Sequence, residues 1–197
     1  MWSFFGLAGR MKYINRWGLM RNTRSENLME HSAEVAMIAH ALAIIGETRL
    51  GKTYNTGAIT TVALYHDMPE ILTGDLPTPV KYYNEESLRA YQKVEETAAE
   101  NILSGLPEDL RPVYQGVISG GMLTYEEKRL VKAADKISAL IKCLEEKKAG
   151  NNEFDDARIS TEQSILEMDV PEAKIFLEEF LEAYAGTLDD LLGKRKL

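Results

Sequence analysis

Apolar residues recur at spacings of three and four along most of the chain, and hardly any stretch alternates apolar with polar side chains as a half-buried strand does. From Leu28 to Ile45, the residues Val35, Ile38, Leu42 and Ile45 fall on one helical stripe, with Gly46 behind them as a stop. Asn55 suits the N-cap of a following helix that carries Ile59, Val62 and Ala63 toward Tyr65-His66-Asp67. Pro69 fits the first position of a new short helix better than the interior of the old one. Glu85 to Leu103 reads as helix, and another opens at Pro107 and runs to about Ile118. Thr124 with Glu127 makes a capping box at the head of the longest helix, which ends at Ala149-Gly150-Asn151-Asn152. Helical segments from Glu153 to Met168 and from Pro171 to Tyr184 precede a short tail. The expectation is one all-α bundle spanning residues 1–197, in which segments 155–197 complete the bundle or a dimer interface.

Charge narrows the partners. Against 31 Asp and Glu stand 23 Lys and Arg, a net charge of −8, so polymeric nucleic acid is not expected as a ligand. A small phosphorylated molecule is compatible, since one basic group or a metal can hold it. The single cysteine, Cys143, permits no intrachain disulfide, and the cytoplasm is the expected compartment. No membrane span is expected, because stretches such as Val35 to Ile45 are short and broken by His40. Met1 to Gly9 is apolar but has no basic residue before it, which suits a first helix packed on the body better than a signal peptide.

Four side chains could gather at one ion. His31 shares its helix face with Val35, Ile38 and Leu42, a face that must turn inward, whereas His40 falls on the opposite side. Taken alone, His31 reads more readily as a hydrogen-bonded core histidine than as a ligand. His66 and Asp67 are adjacent near a helix end, where a nitrogen and a carboxylate oxygen can approach one divalent transition metal. The competing reading places His66 on the helix dipole, but Asp67 is then unfavourable without a positive partner. Asp135 lies in mid-helix beside Val131, Ser138 and Ala139, and is either a fourth ligand or a surface partner of Lys132 or Lys136.

The order His31, His66-Asp67, Asp135 on helices resembles the H…HD…D signature of the HD-domain metal-dependent phosphohydrolases. Ile14-Asn15-Arg16-Trp17, Arg21 to Asn27, Glu30-His31-Ser32, Tyr65-His66-Asp67, Glu70, Leu72 to Lys81 and Ala149 to Phe154 are similar to the bacterial HD-domain 5′-deoxynucleotidases, the YfbR-like group. That similarity runs from about Arg10 to Phe154. It implies an HD-domain helical bundle that hydrolyses deoxyribonucleoside 5′-monophosphates, with His31, His66, Asp67 and Asp135 holding one divalent cation. Ligand types do not distinguish Co, Mn, Zn, Fe, Ni or Cu. The resemblance further implies Glu70 and Asp75 as catalytic acids, Arg16 as the phosphate-orienting arginine and Trp17 as a selector of the sugar. Asp75-Leu76-Pro77-Thr78 would form part of the substrate wall, and His31 and Asp67 would also border the substrate. The chain departs from the group at Met68, where a small residue is usual, and at Pro69, where serine or similar stands. Without the resemblance, Arg16-Trp17 reads as a surface pair, Glu70 as a helix-start charge and Asp75 as a turn residue.

Two other functions compete: an HD phosphohydrolase of a different nucleotide, and a non-catalytic HD module with a structural metal. The scarcity of Lys and Arg near His66-Asp67 disfavours a polyphosphate substrate. A homodimer is expected, partly from the resemblance and partly from Ile165, Leu166, Ile175, Phe176, Phe180 and Leu181 in the last helices.

Overall fold

A computed structural model describes residues 1–81 and 83–193 of the chain. Its helices are α1 (Phe4–Ala8), α2 (Leu28–Leu50), α3 (Thr56–Tyr65), α4 (Glu70–Thr73), α5 (Thr78–Lys81), α6 (Glu85–Leu103), α7 (Arg111–Ile118), α8 (Tyr125–Lys148), α9 (Asp155–Glu167), α10 (Pro171–Phe180) and α11 (Leu188–Leu192). Among the described residues there is no β-strand; one isolated antiparallel bridge joins Asn15 and Asn27.

Helix α2 is the centre of the bundle, packed on α3 and α8, while α9 and α10 close over α8 and α2. Its inward stripe of Val35, Ile38, Leu42 and Ile45 meets Ile59 and Val62 of α3 and Leu130, Ile137 and Ile141 of α8 in the larger core. Apolar side chains on one helical stripe leave water together, so packing of that stripe stabilises helices that would be marginal alone. A second core joins Phe4 of α1 and Met11 to Leu28, Met68, Ile71, Ile102 and Leu106. His40 is exposed, as its position on the far side of α2 requires.

Several boundaries differ from the sequence reading. Gly46 does not end α2; it lies inside it, where a Cβ would meet the Tyr54 ring at 2.5 Å and Glu172 Oε1 at 2.8 Å. Close approach, not termination, selects that glycine, and Gly51 in the left-handed region (φ 65°) ends the helix. Pro107 opens a turn; α7 begins at Arg111, with Pro112 in its first turn. The capping box of Thr124 and Glu127 is present at the head of α8, and Asn55 caps α3 by accepting from the Ala58 N–H.

Helix α2 also corrects the expectation about membrane-length stretches. At 23 residues, with an 18-residue window of mean hydropathy 1.3, it is long and apolar enough to cross a bilayer, because the exposed His40 does not interrupt it. More than half of its apolar window is buried inside the fold, where it serves as the core helix. Of the six apolar residues thought to point to a dimer, Ile165 and Phe176 are in the core, and Ile175 and Leu181 pack against it. Leu166 and Phe180 are exposed.

Candidate metal centre and active site

Asn27 accepts hydrogen bonds from the N–H groups of Met29 and Glu30, and so fixes the start of α2 one turn before His31. That register turns His31 inward with Leu28 and Val35, and all three are fully buried. The C-terminal end of α3 delivers His66 and Asp67, and the middle of α8 delivers Asp135. One donor atom each from His31, His66 and Asp67 lies within 4.8 Å of the others. His31 Nε2 is 3.4 Å from Asp67 Oδ2 and 3.3 Å from Asp135 Oδ1. His66 Nε2 is 3.2 Å from Asp67 Oδ2 and 4.0 Å from Asp135 Oδ1. The four residues singled out in the sequence therefore converge. Asp135 is also paired to Lys132 at 2.9 Å, so the surface ion pair and the ligand position hold together.

Hydrogen bonds on the far side of each ring fix which nitrogen faces the carboxylates. His66 Nδ1 is 2.8 Å from the Ala63 carbonyl, an acceptor, so Nδ1 carries the proton. Ser138 donates its hydroxyl to Glu34 Oε2 at 2.6 Å, which leaves its oxygen to accept from His31 Nδ1 at 3.0 Å. Both Nε2 atoms then present lone pairs, and both are buried without a hydrogen bond. Lone pairs facing two carboxylates repel unless a cation or protons lie between them. Two imidazole nitrogens and two carboxylate oxygens suit a divalent transition metal, and outer hydrogen bonds of this kind orient its ligands. The residues fit the ion.

The charges shape the acid–base behaviour of the cluster. Burial pushes the Asp67 carboxyl up, but the neighbouring His66 and His31 outweigh it and hold Asp67 well below the usual range. Asp135 is lowered in the same way, with burial opposed by His31, Lys132 and His66. Burial lowers the His66 imidazole, yet Asp67 and Asp135 leave it raised overall.

A loop supplies the other half. The bridge between Asn15 and Asn27 is flanked by Leu28 N–H donating to the Ile14 carbonyl at 3.0 Å and Arg16 N–H donating to the Glu26 carbonyl at 2.9 Å. It folds residues 14–27 back on themselves and places Glu26 beside Arg16 and Trp17. Trp17 adopts a left-handed backbone (φ 61°), a conformation costly for a bulky residue and kept where surrounding contacts enforce it. Its N–H donates to Asp75 Oδ2 at 3.1 Å, and its carbonyl accepts from Met20 N–H at 2.9 Å. The indole Nε1–H donates to Glu26 Oε2 at 2.9 Å, and the ring meets Phe154 edge-on at 5.3 Å.

Arg16 is half-buried, its Nε and Nη1 atoms are buried without a hydrogen bond, and Glu26 Oε2 lies 3.5 Å from Nη1. Burial lowers the guanidinium pKa, but Glu26, Asp67, Asp135 and Asp75 more than offset this. Glu70 is the first residue of α4 and is buried, with Oε2 unpaired. Burial and the charges of Asp67 and Asp75, against Arg16 and Lys81, push its carboxyl up to about 9. A divalent cation beside Asp67 acts in the opposite direction. Asp75 is raised by burial and Asp67, while Arg16 and the Trp17 N–H pull it down.

Leu76 and Pro77 follow Asp75 as half-buried residues, and the side chain of Thr78 lies outside the described residues. Met68 is fully buried in the second core, and Pro69 precedes the first turn of α4. The departure at Met68 is thus taken up by packing with Phe4 and Leu28. A cavity of about 240 Å³ opens on His66, Asp67 and Asp135, bordered by Gly120, Lys128 and Lys132.

Three supporting residues carried no role in the sequence reading: Ser138, Glu34 and Glu26. The first two were within reach, since Ser138 follows Asp135 by three positions and Glu34 follows His31 by three, the spacing of one helix face. Glu26 had no such signal, because a loop bridge brings it to Trp17.

Comparison with known proteins supplies the family. Residues 3–184 match the 5′-deoxynucleotidase YfbR-like family, a span extending past Arg10 and Phe154 at both ends. A 5′-deoxynucleotidase of Erwinia tasmaniensis is 45% identical over 188 residues, covering 95% of each chain. The 5′-deoxynucleotidase YfbR of Escherichia coli is 44% identical over 188 residues, covering 95% of this chain and 94% of that one. A crystal structure of an HD-domain phosphohydrolase from Listeria innocua superposes with a TM-score of 0.82 at 27% identity, covering 98% of this chain and 90% of that one. The chain belongs to the YfbR-like 5′-deoxynucleotidase family.

Proposed function

We propose that the protein hydrolyses deoxyribonucleoside 5′-monophosphates to the deoxyribonucleoside and inorganic phosphate, using one divalent cation held by His31, His66, Asp67 and Asp135. The observation that carries this reading is the convergence of two unpaired imidazole nitrogens with a half-buried arginine whose Nε and Nη1 make no hydrogen bond. The activity of the named relatives supports the substrate class. When bound, the ion supplies Lewis-acid polarisation of the phosphoryl group and activation of water.

The chain's own residues do the rest. Arg16 offers the planar fork that matches two phosphate oxygens, and the surrounding carboxylates keep it charged. Glu70, buried beside Asp67 and Asp75 with Oε2 unpaired, is placed to pass a proton to the departing 5′-oxygen, and Asp75 is the second proton carrier. His31 and Asp67 border the phosphate. The Trp17 indole stands against the sugar, and Asp75, Leu76, Pro77 and Thr78 wall the nucleoside.

We read residues 1–197 as one domain, cytoplasmic and homodimeric, with Leu166 and Phe180 as the exposed members of the six apolar residues named for a partner copy. A ~22 kDa species in sedimentation at micromolar concentration would exclude the dimer.

The test is phosphate release from deoxyribo- and ribonucleoside 5′-monophosphates by metal-free protein given single divalent ions. Release from dAMP that depends on added metal is the expected result. Stoichiometric metal binding without release from any nucleotide would favour a non-catalytic module. Release from triphosphates or cyclic dinucleotides in preference to dAMP would replace the substrate.

A further inference from the structure

Glu26 touches neither the ligand cluster nor the proton carriers, yet one of its carboxylate oxygens meets both substrate-facing residues of the loop. Oε2 accepts from Trp17 Nε1–H at 2.9 Å and lies 3.5 Å from Arg16 Nη1. Its backbone carbonyl accepts the Arg16 N–H, so main chain and side chain act at the same junction. Trp17 is also held by the Asp75 carboxylate on its N–H, by Met20 N–H and Asn22 Nδ2 on its carbonyl, and by the Phe154 ring and the Arg16 guanidinium against its indole. The hydrogen bonds to Asp75, Met20 and Asn22 grip the main chain, and the two ring contacts are undirected packing. The Nε1–H to Glu26 bond is the directed bond that the indole itself makes.

We propose that Glu26 is a positioning residue for sugar discrimination: it locks the Trp17 indole in the plane that faces the sugar, and ties that plane to the Arg16 guanidinium. The proposal rests on the reading that Arg16 holds phosphate and Trp17 stands against the sugar. A fixed distance between phosphate anchor and indole wall is what turns contact with a 2′-hydroxyl into selectivity. A wall free to rotate yields to the extra oxygen.

Two variants separate the contributions. Glu26→Gln keeps an oxygen that can accept from the indole but removes the charge beside Arg16. Glu26→Ala removes both. The ratio of kcat/KM for dAMP to that for AMP is expected to fall about tenfold in Glu26→Ala, the worth of one ordinary buried hydrogen bond. Glu26→Gln is expected to keep the ratio while KM rises for both nucleotides. A merely structural role would lower both substrates together and leave the ratio unmoved.

A second readout does not need turnover. The chain has two tryptophans, Trp17 and the exposed Trp2, so 15N spectra show two indole N–H signals. The Trp17 signal is expected to exchange slowly with solvent in wild type and Glu26→Gln, and quickly in Glu26→Ala. An unchanged ratio, or a Trp17 signal still protected in Glu26→Ala, overturns the proposal. Should Glu26→Ala fail to fold, Trp17→Phe deletes the same bond from the ring side, and an unchanged ratio there overturns it equally. A wild type that cleaves dAMP and AMP equally overturns the discrimination while sparing the proposed function. A wild type that cleaves neither overturns the proposed function, and the indole exchange alone then decides the role of Glu26.

Discussion

His31, His66, Asp67 and Asp135 stand on or at the ends of α2, α3 and α8, the helices that build the larger core, whereas Arg16, Trp17 and Asp75 stand on irregular segments. The first group inherits its geometry from close packing: displacing His31 means displacing α2 against Ile59, Leu130 and Ile137. The second group depends on a handful of long-range hydrogen bonds, such as Trp17 N–H to Asp75 and Trp17 Nε1–H to Glu26. On the proposed function, chemistry common to many phosphate esters is mounted on the rigid half, and recognition of one ester on the half that few contacts define. Damage to the helical half should abolish turnover. Damage to the loop half should change which substrate is turned over, and how well it binds.

The sharpest break of this contrast is loss of a ligand. Each of His31→Ala, His66→Ala, Asp67→Ala and Asp135→Ala is expected to remove the metal and leave less than about a hundredth of the activity, more than the ten- to hundredfold typical of outer hydrogen bonds. Helical content should persist, since the core around the site is apolar. Metal analysis, turnover and circular dichroism on one preparation test this. Stoichiometric metal and normal turnover in any one variant would remove that residue from the ligand set.

Next in size is Ser138→Ala. It leaves every ligand in place but takes away the acceptor that keeps the proton on His31 Nδ1. Metal affinity is expected to fall about ten- to hundredfold, with substrate KM at saturating metal unchanged. A competitive chelator titration measures the first and steady-state kinetics the second. If KM moves instead of metal affinity, the two halves are coupled through Ser138.

The same division explains what was legible in the sequence. Helical spacing pointed His31 at the core through the inward stripe of α2, but grouping it with His66, Asp67 and Asp135, which stand on other helices, came from the resemblance to the H…HD…D signature. Gly46 was misread for a related reason: periodicity shows where apolar residues recur, but a glycine demanded by Tyr54 and Glu172 looks the same as one that ends a helix. The bond between Glu26 and Trp17 has no periodic signature, because it depends on the fold-back at Asn15 and Asn27 and on a left-handed tryptophan. Roles for Arg16 and Trp17 came from resemblance alone.

On the loop half, Arg16→Lys preserves charge and removes the planar fork. KM for dAMP is expected to rise about tenfold, roughly one charge-assisted hydrogen bond, with metal content unaltered. Initial-rate measurements at saturating metal decide it. An equal loss in kcat with KM constant would place Arg16 in the transition state alone.

The smallest effect lies behind the loop, where Glu146 of α8 pairs with Lys142 and accepts from the Thr23 N–H, the Thr23 hydroxyl and Asn151 Nδ2. Lys142 also donates to the Arg24 carbonyl, so this buried pair ties Thr23 and Arg24 to α8. Burial raises the Glu146 carboxyl, but Lys142, Asn151 and Thr23 overcome it and hold it down at about 2. A carboxyl depressed on folding contributes its stability above its ordinary pKa near 4.5 and loses it as pH falls toward 2. Wild-type thermal stability should therefore decline through that window, and Glu146→Gln, which keeps an acceptor but cannot titrate, should decline less. Because the pair supports the loop and not the ligands, the variant is expected to keep its metal at neutral pH. Thermal melts from pH 5 to pH 2 for both proteins, with metal analysis at pH 7, read the two claims separately. Identical acid dependence would mean that the carboxylate charge contributes nothing to anchoring the loop, leaving Asn151 and the backbone to hold it.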